Sequence, residues 1–275
     1  MRAFYLFHDD WYQYVKADLL ASKYPMTGFV VIRRKRDSSY RYLWKRAKRL
    51  GFFKVLDELA LRLYWTLFKS WGDYRNLKHL TETVQSSLPA SYKRPPVHYI
   101  DNINSDAGRQ VLRDLNPDVC VLMVHPILGK KTFSIPPLGM LVFHPGVTPE
   151  YRGPHSAFWA TMSNEFWGIG WSLLRVDEGI DTGPVLTQGS CTRVNPLEDS
   201  HVMMQHVSHV DGTGPVVEVL RKLERGETPR IELIDRRSTN YTHPGITDYV
   251  RFLAVRKKLR NGDSPKGAPK PAGVL

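Results

Sequence analysis

Four apolar runs, AFYLFH (3–8), TGFVVI (27–32), DVCVLMV (118–124) and GMLVF (139–143), restrict the fold of this chain more than any other feature. They are apolar at nearly every position instead of alternating, the pattern of strands covered on both faces of a sheet. Shorter strands are predicted at 96–100 and 171–176. Between the runs lie helical segments, near 10–22 and over 105–115. In the second, Ala107, Val111, Leu112 and Leu115 share a face and Ser105 stands at the N-cap. Strands alternating with helices predict an α/β fold built on a Rossmann-like, mostly parallel sheet. A chain of 275 residues has room for one such core and a small appendage.

Two segments break the rhythm. Residues 34–90 are too long for one crossover and predict an insertion of one or two helices. Its apolar stripe, Phe52, Val55, Leu56, Leu59, Leu63 and Leu67, has helical spacing and is expected to pack on the domain, a membrane-surface or partner-binding role being the alternative. The second segment follows Asn195. A long helix is expected over 199–224, with a break near Gly212-Thr213-Gly214-Pro215, and a last helix over 246–259. The expected organisation is thus a catalytic domain over 1–195 containing the insertion, a helical extension over 196–262, and a disordered tail over 263–275.

The net charge of +12 is unevenly placed. Nine cations stand against one anion, Asp37, between Arg33 and Arg49, a local charge of +8. Such a field suits an anionic substrate, a nucleic acid, an acidic carrier or a membrane surface, and a solvated helix face is the plain alternative. Asp9 and Asp10 interrupt the N-terminal apolar run, and no run of apolar residues reaches spanning length, so a cytoplasmic protein is expected. Cys120 and Cys191, far apart in sequence, are expected as buried thiols. There is no GxGxxG after the first strand, no GxxxxGK[ST], no HExxH and no GxSxG. His201, His206 and His209 lack a carboxylate at ligand spacing and are expected to be structural.

One stretch carries the parts of a reaction site. The strand ending in Phe143 delivers His144, and Pro145-Gly146 turn the chain out of the sheet. Ligands of open α/β sheets bind beyond the carboxyl ends of strands. The strand ending at Val176 leads into Asp177-Glu178-Gly179-Ile180-Asp181-Thr182-Gly183, three carboxylates and two glycines in seven residues. A histidine and a carboxylate, each beyond its own strand, are suited to acid–base work near neutral pH. Either piece alone is common; their order, with Thr148-Pro149-Glu150-Tyr151-Arg152-Gly153 between them, is specific.

This ordered set resembles the folate-dependent formyltransferase family, firmly from about Asn104 to Leu186. The resemblance implies transfer of a formyl group from 10-formyltetrahydrofolate to an amine of a small or carrier-linked substrate. It implies His144 as the catalytic histidine and Asp181 as the aspartate that positions it. It implies that Leu122, Val124, Ile127, Asp177, Gly179, Ile180 and Gly183 hold the cofactor, and that Tyr151, Arg152 and Gly153 meet the substrate. No metal is implied. The chain departs from the family at Val142, where the family has an asparagine that donates to the oxyanion; valine donates nothing. His125, at the end of the strongest strand, is the candidate replacement donor. Altered chemistry, such as hydrolysis of the formyl donor, and a folate-binding role without turnover are the alternatives. The residues after Asn195 do not resemble the barrel of the tRNA-acting members, so a nucleic-acid acceptor is disfavoured.

Overall fold

The computed structural model describes residues 1–33, 40–123, 127–262, 267, 269–271 and 273–275. Val124, His125 and Pro126, and residues 34–39 of the basic run, lie outside these, so the expectations placed on Val124 and His125 do too.

Seven strands form one sheet: β1 (Ala3–His8), β2 (Gly28–Ile32), β3 (Val97–Ile100), β4 (Val119–Met123), β5 (Met140–His144), β6 (Gly170–Arg175) and β7 (Val185–Ser190). Their order is β3-β2-β1-β4-β5-β6-β7. The first five are parallel, and β6 and β7 are antiparallel additions beside β5. The mostly parallel α/β sheet expected from the sequence is therefore present. The strand order reverses between β1 and β4, which opens a crevice at the carboxyl ends of the central strands. β1, β2 and β4 are buried along almost their whole length, because helices cover both faces. β7 has no counterpart among the sequence expectations.

The described helices are α1 (Trp11–Lys23), α2 (Tyr40–Leu50), α3 (Phe52–Phe68), α4 (Ser70–Ser86), α5 (Asp106–Leu115), α6 (Lys130–Phe133), α7 (Ser156–Met162), α8 (His201–Glu224) and α9 (Ile246–Arg260). Ser105 caps α5, its hydroxyl accepting from the Gly108 amide at 3.0 Å. The insertion holds three helices, α2 to α4, not one or two. The stripe expected to pack is exposed except at Val55: Phe52 is 63% accessible, Leu63 61% and Leu67 64%. A different face of α3 docks instead, with Leu61, Tyr64 and Trp65 packing beside Phe158, Tyr249 and Phe252.

In the basic run, the Arg33 guanidinium lies over the Tyr99 ring, Arg46 pairs with Glu58 at 2.7 Å, and Lys48 lies over Trp44. α8 is unbroken through Pro215. A Cβ at Gly212 would overlap the rings of Trp171 and Phe143, so glycine lets α8 lie close to the sheet. The end of the chain differs from a disordered tail: Leu275 accepts from the Ser190 amide and donates to the Gln188 carbonyl, extending along β7. Both cysteines are buried thiols. No described helix is long and apolar enough to cross a membrane.

Candidate active site

β5 ends with His144 buried at 2% exposure beside the crevice. Its neighbour in register on β6 is Ser172, whose hydroxyl donates to the Gly146 carbonyl and accepts from the Thr148 amide. That pair of bonds fixes the turn that Pro145 and Gly146 begin. The loop returns under the imidazole, and the His144 Nε2–H donates to the Tyr151 carbonyl at 2.9 Å. This bond puts the Nε2 proton on the Tyr151 side and leaves Nδ1 facing Asp181. Nδ1 lies 3.5 Å from Asp181 Oδ2. His144 and Asp181, 37 positions apart in sequence, thus meet at one site.

Asp181 is held from two directions. Its own backbone is left-handed, with φ of 52°, a conformation aspartate tolerates better than most residues. Its Oδ2 accepts from the Gly153 amide at 3.1 Å. The rest of its loop is tied by Asp177, whose Oδ1 accepts from the Gly179 amide and the Thr182 hydroxyl. Arg152 Nη1 donates to the Ile180 carbonyl at 3.1 Å. Gly179 and Gly183 are required by close approach: a Cβ at either would overlap the Thr182 hydroxyl or the Arg175 carbonyl.

Asp181 lines a cleft of about 390 Å³. Leu122, Val142 and Leu174, neighbours in register on β4, β5 and β6, form one wall. Ile127 and the loop from Asp177 to Thr182 form the rim. Ile127 is 73% exposed and Ile180 46%, apolar side chains left open at the cleft mouth. Asn104 pins the Ile127 segment, donating to its carbonyl at 2.9 Å while accepting from the Gly129 amide and the Thr132 hydroxyl.

Tyr151 does not meet the expectation of a substrate contact. It is fully buried, its hydroxyl donates to Glu165, and its ring stacks on Tyr241. It serves the site through its backbone carbonyl. Arg152 and Gly153 likewise serve by bracing the Asp181 loop.

The segment 236–243 was not anticipated from the sequence. It straps over the 148–153 loop. Arg236 forms a buried ion pair with Glu150 at 2.6 Å and donates to the Thr148 carbonyl. Arg152 exchanges backbone bonds with Thr239 and Tyr241. The strap ends in His243, which lines the cleft. Its only sequence signal is a His-Pro pair like that at 144–145. His201, His206 and His209 do not line this cleft, and no metal-ligand cluster occurs among the described residues.

Residues 85–220 match the family described as formyl transferase. Among curated proteins, the chain is 36% identical over 162 residues to a methionyl-tRNA formyltransferase of Chloroflexus aggregans, covering 57% of this chain and 48% of that protein. A methionyl-tRNA formyltransferase of Syntrophus aciditrophicus is 31% identical over 144 residues, covering 52% and 45%. The chain spans about half the length of the curated relatives it matches. Among solved structures, a sugar N-formyltransferase from a Shewanella species superposes with a TM-score of 0.52 at 12% identity, covering 93% of this chain and 88% of that one. A phosphoribosylglycinamide formyltransferase from Streptococcus pneumoniae superposes with a TM-score of 0.50 at 17% identity, covering 82% and 99%. These two likenesses concern the fold, whereas the match to the formyl transferase family, over residues 85–220, spans the His144 loop and the Asp181 loop together.

Proposed function

We propose that the protein transfers a formyl group from 10-formyltetrahydrofolate to an amine of a small or carrier-linked, anionic substrate, with His144 and Asp181 handling the proton. The observation that carries this reading is the 3.5 Å contact of the buried His144 Nδ1 with Oδ2 of Asp181, a residue that lines an apolar-walled cleft. The cleft suits a flat heteroaromatic group: Leu122, Ile127, Val142 and Ile180 offer apolar surface, and the tied loop from Asp177 to Gly183 offers backbone polar groups at the rim. Bound there, the cofactor would supply the formyl carbon.

His144 then serves as the proton acceptor. Its Nε2–H stays on the Tyr151 carbonyl while Nδ1 takes the proton that the acceptor amine loses on bonding the formyl carbon; Asp181 stabilises the resulting imidazolium by a charge-assisted bond, and the proton would then pass to the donor nitrogen whose bond to that carbon breaks. Burial of His144 keeps bulk water from competing for that proton. Val142 favours a second reading, a folate-binding protein without turnover, because no side-chain donor stands at that position. One experiment separates the two. Formyl transfer to a panel of amines is measured for wild type and His144→Ala, beside tetrahydrofolate binding. The transferase reading expects a loss of about 10²-fold or more in kcat with affinity retained. Binding without turnover in the wild type would leave the second reading.

A further inference from the structure

We infer that a second cavity, between α3, α7 and the start of α8, receives the acceptor, and that the acceptor is a primary amine on an apolar ring-sized body bearing an anionic group. The inference rests on the formyl-transfer reading and names the substrate class of that site. The cavity encloses about 410 Å³. It adjoins the cleft: His243 lines both, and Gly153 and Pro154 on the cleft side are followed directly by His155 on the cavity side. His155 and His243 meet at 3.2 Å, forming the partition.

The chemistry of the lining selects the ligand. Glu58, Arg62 and Trp65 fall at i, i+4 and i+7 of α3, on the face opposite the exposed stripe. Arg46 engages Glu58 through Oε2, whereas Oε1 is buried without a hydrogen-bond partner among the described residues. A buried carboxylate oxygen without a donor is costly, and an N–H of a neutral amine supplies that donor while its lone pair stays free to attack. Arg62 is exposed, lines the same cavity and makes no ion pair among the described residues, which leaves its charge for an anion. Val55, Leu61 and Trp65 supply the apolar wall between these groups. The Trp65 ring is fixed, its Nε1–H donating to Asp73 at 2.7 Å. An amine near the partition, an apolar middle and an anion at Arg62 satisfy all three features at once.

The test uses three probes that differ by one feature: 4-(aminomethyl)benzoate, benzylamine and 4-methylbenzoate. Binding of each to the full chain is followed by calorimetry, and formyl transfer to the two amines by steady-state kinetics. Arg62→Gln, a change at an exposed position, is expected to raise the KM for 4-(aminomethyl)benzoate about tenfold, by loss of a charge-assisted bond, with that for benzylamine unchanged. Glu58→Gln is expected to weaken both amines and leave 4-methylbenzoate unaffected. Tetrahydrofolate affinity is expected to stay unchanged in both variants. If the wild type formylates these amines and neither variant alters KM, the cavity is not the acceptor site, and the formyl-transfer reading stands without it. If the wild type formylates no amine of this or any wider panel, the formyl-transfer reading falls and this inference falls with it.

Discussion

Val142 presents an isopropyl group to the cleft from the middle of β5, in register with Leu122 and Leu174. An oxyanion forming beside His144 receives no hydrogen bond from that side chain. Val142→Asn is therefore expected to raise kcat on the order of tenfold, since one such donor is worth more than this in other acyl-transfer sites. The change is half-exposed to the cleft, so water can meet the new amide and the fold should tolerate it. An unchanged kcat would mean that another group holds the oxyanion, with His125→Ala the variant that then abolishes turnover. Gly183→Ala tests the loop across the cleft. Its Cβ would overlap the Arg175 carbonyl, so a stability loss of about 1–3 kcal/mol is expected, with a weaker tetrahydrofolate complex measured by titration. Normal binding by this variant would detach the loop from the cofactor. At this scale the meeting of His144 and Asp181 was legible in the sequence, because each stands at or beyond the end of its own strand and ligands gather there. The sequence did not make Tyr151 legible, because a motif names a residue without naming the atom in use. Here the atom is the carbonyl oxygen facing His144, while the phenol is spent on Glu165.

Helix α3 shows what periodicity leaves open at the scale of an element. Its residues Phe52, Leu56, Leu59, Leu63 and Leu67 have the spacing of a buried stripe, yet all five are exposed. Apolar residues occupy more than one face of this helix, and the face that wins is the one whose shape meets Phe158, Tyr249 and Phe252. Leu61, 7% exposed, belongs to it. Leu61→Ala is expected to cost about 2–5 kcal/mol in chemical denaturation. Leu63→Gln and Leu67→Gln should each stay within about 0.5 kcal/mol of wild type. Comparable losses at Leu61 and Leu63 would contradict this orientation of α3. The same limit explains β7 and α8. β7 reads VLTQGS, and half of it is polar because the Gln188 side chain is buried on the sheet near Ser172. α8 continues through a Gly-Thr-Gly-Pro run that alone predicts a break, because packing on Trp171 and Phe143 outweighs propensity. The parallel core was legible from four apolar runs, those of β1, β2, β4 and β5, because burial on both faces writes itself into composition.

Across the whole molecule, one buried cluster joins the first helix, the long helix of the C-terminal part and the strand that bears His144. Lys16 on α1 is 5% exposed, with Nζ at 2.7 Å from His206 Nδ1 and 3.4 Å from His209 Nδ1. The His209 Nε2–H donates to the Phe143 carbonyl at 3.0 Å, one residue before His144. Burial lowers the Lys16 pKa to about 7 and pushes His206 and His209 well below 6.5, the nearby Lys16 adding to the effect. The unfolded chain keeps lysine near 10.5, so between about pH 10.5 and 7 it binds a proton that the folded chain has yet to accept. Stability therefore falls as pH drops through that window. Below about 6.5 the unfolded histidines take up protons first, and stability falls further. Above about pH 10 the opposite sign applies: burial raises Tyr24 to about 12, so unfolded tyrosines ionise first and folding is again disfavoured. The urea midpoint is expected to rise from pH 7 to pH 9, with Lys16 contributing on the order of 3–5 kcal/mol across its full window. Lys16→Met removes the titrating amine and should flatten that rise while leaving the acid loss from the histidines. A wild-type midpoint that is flat or falling between pH 7 and 9, or a Lys16→Met profile of unchanged slope, would show that the ammonium reaches water in the folded protein and that the three elements are not joined through a dry contact.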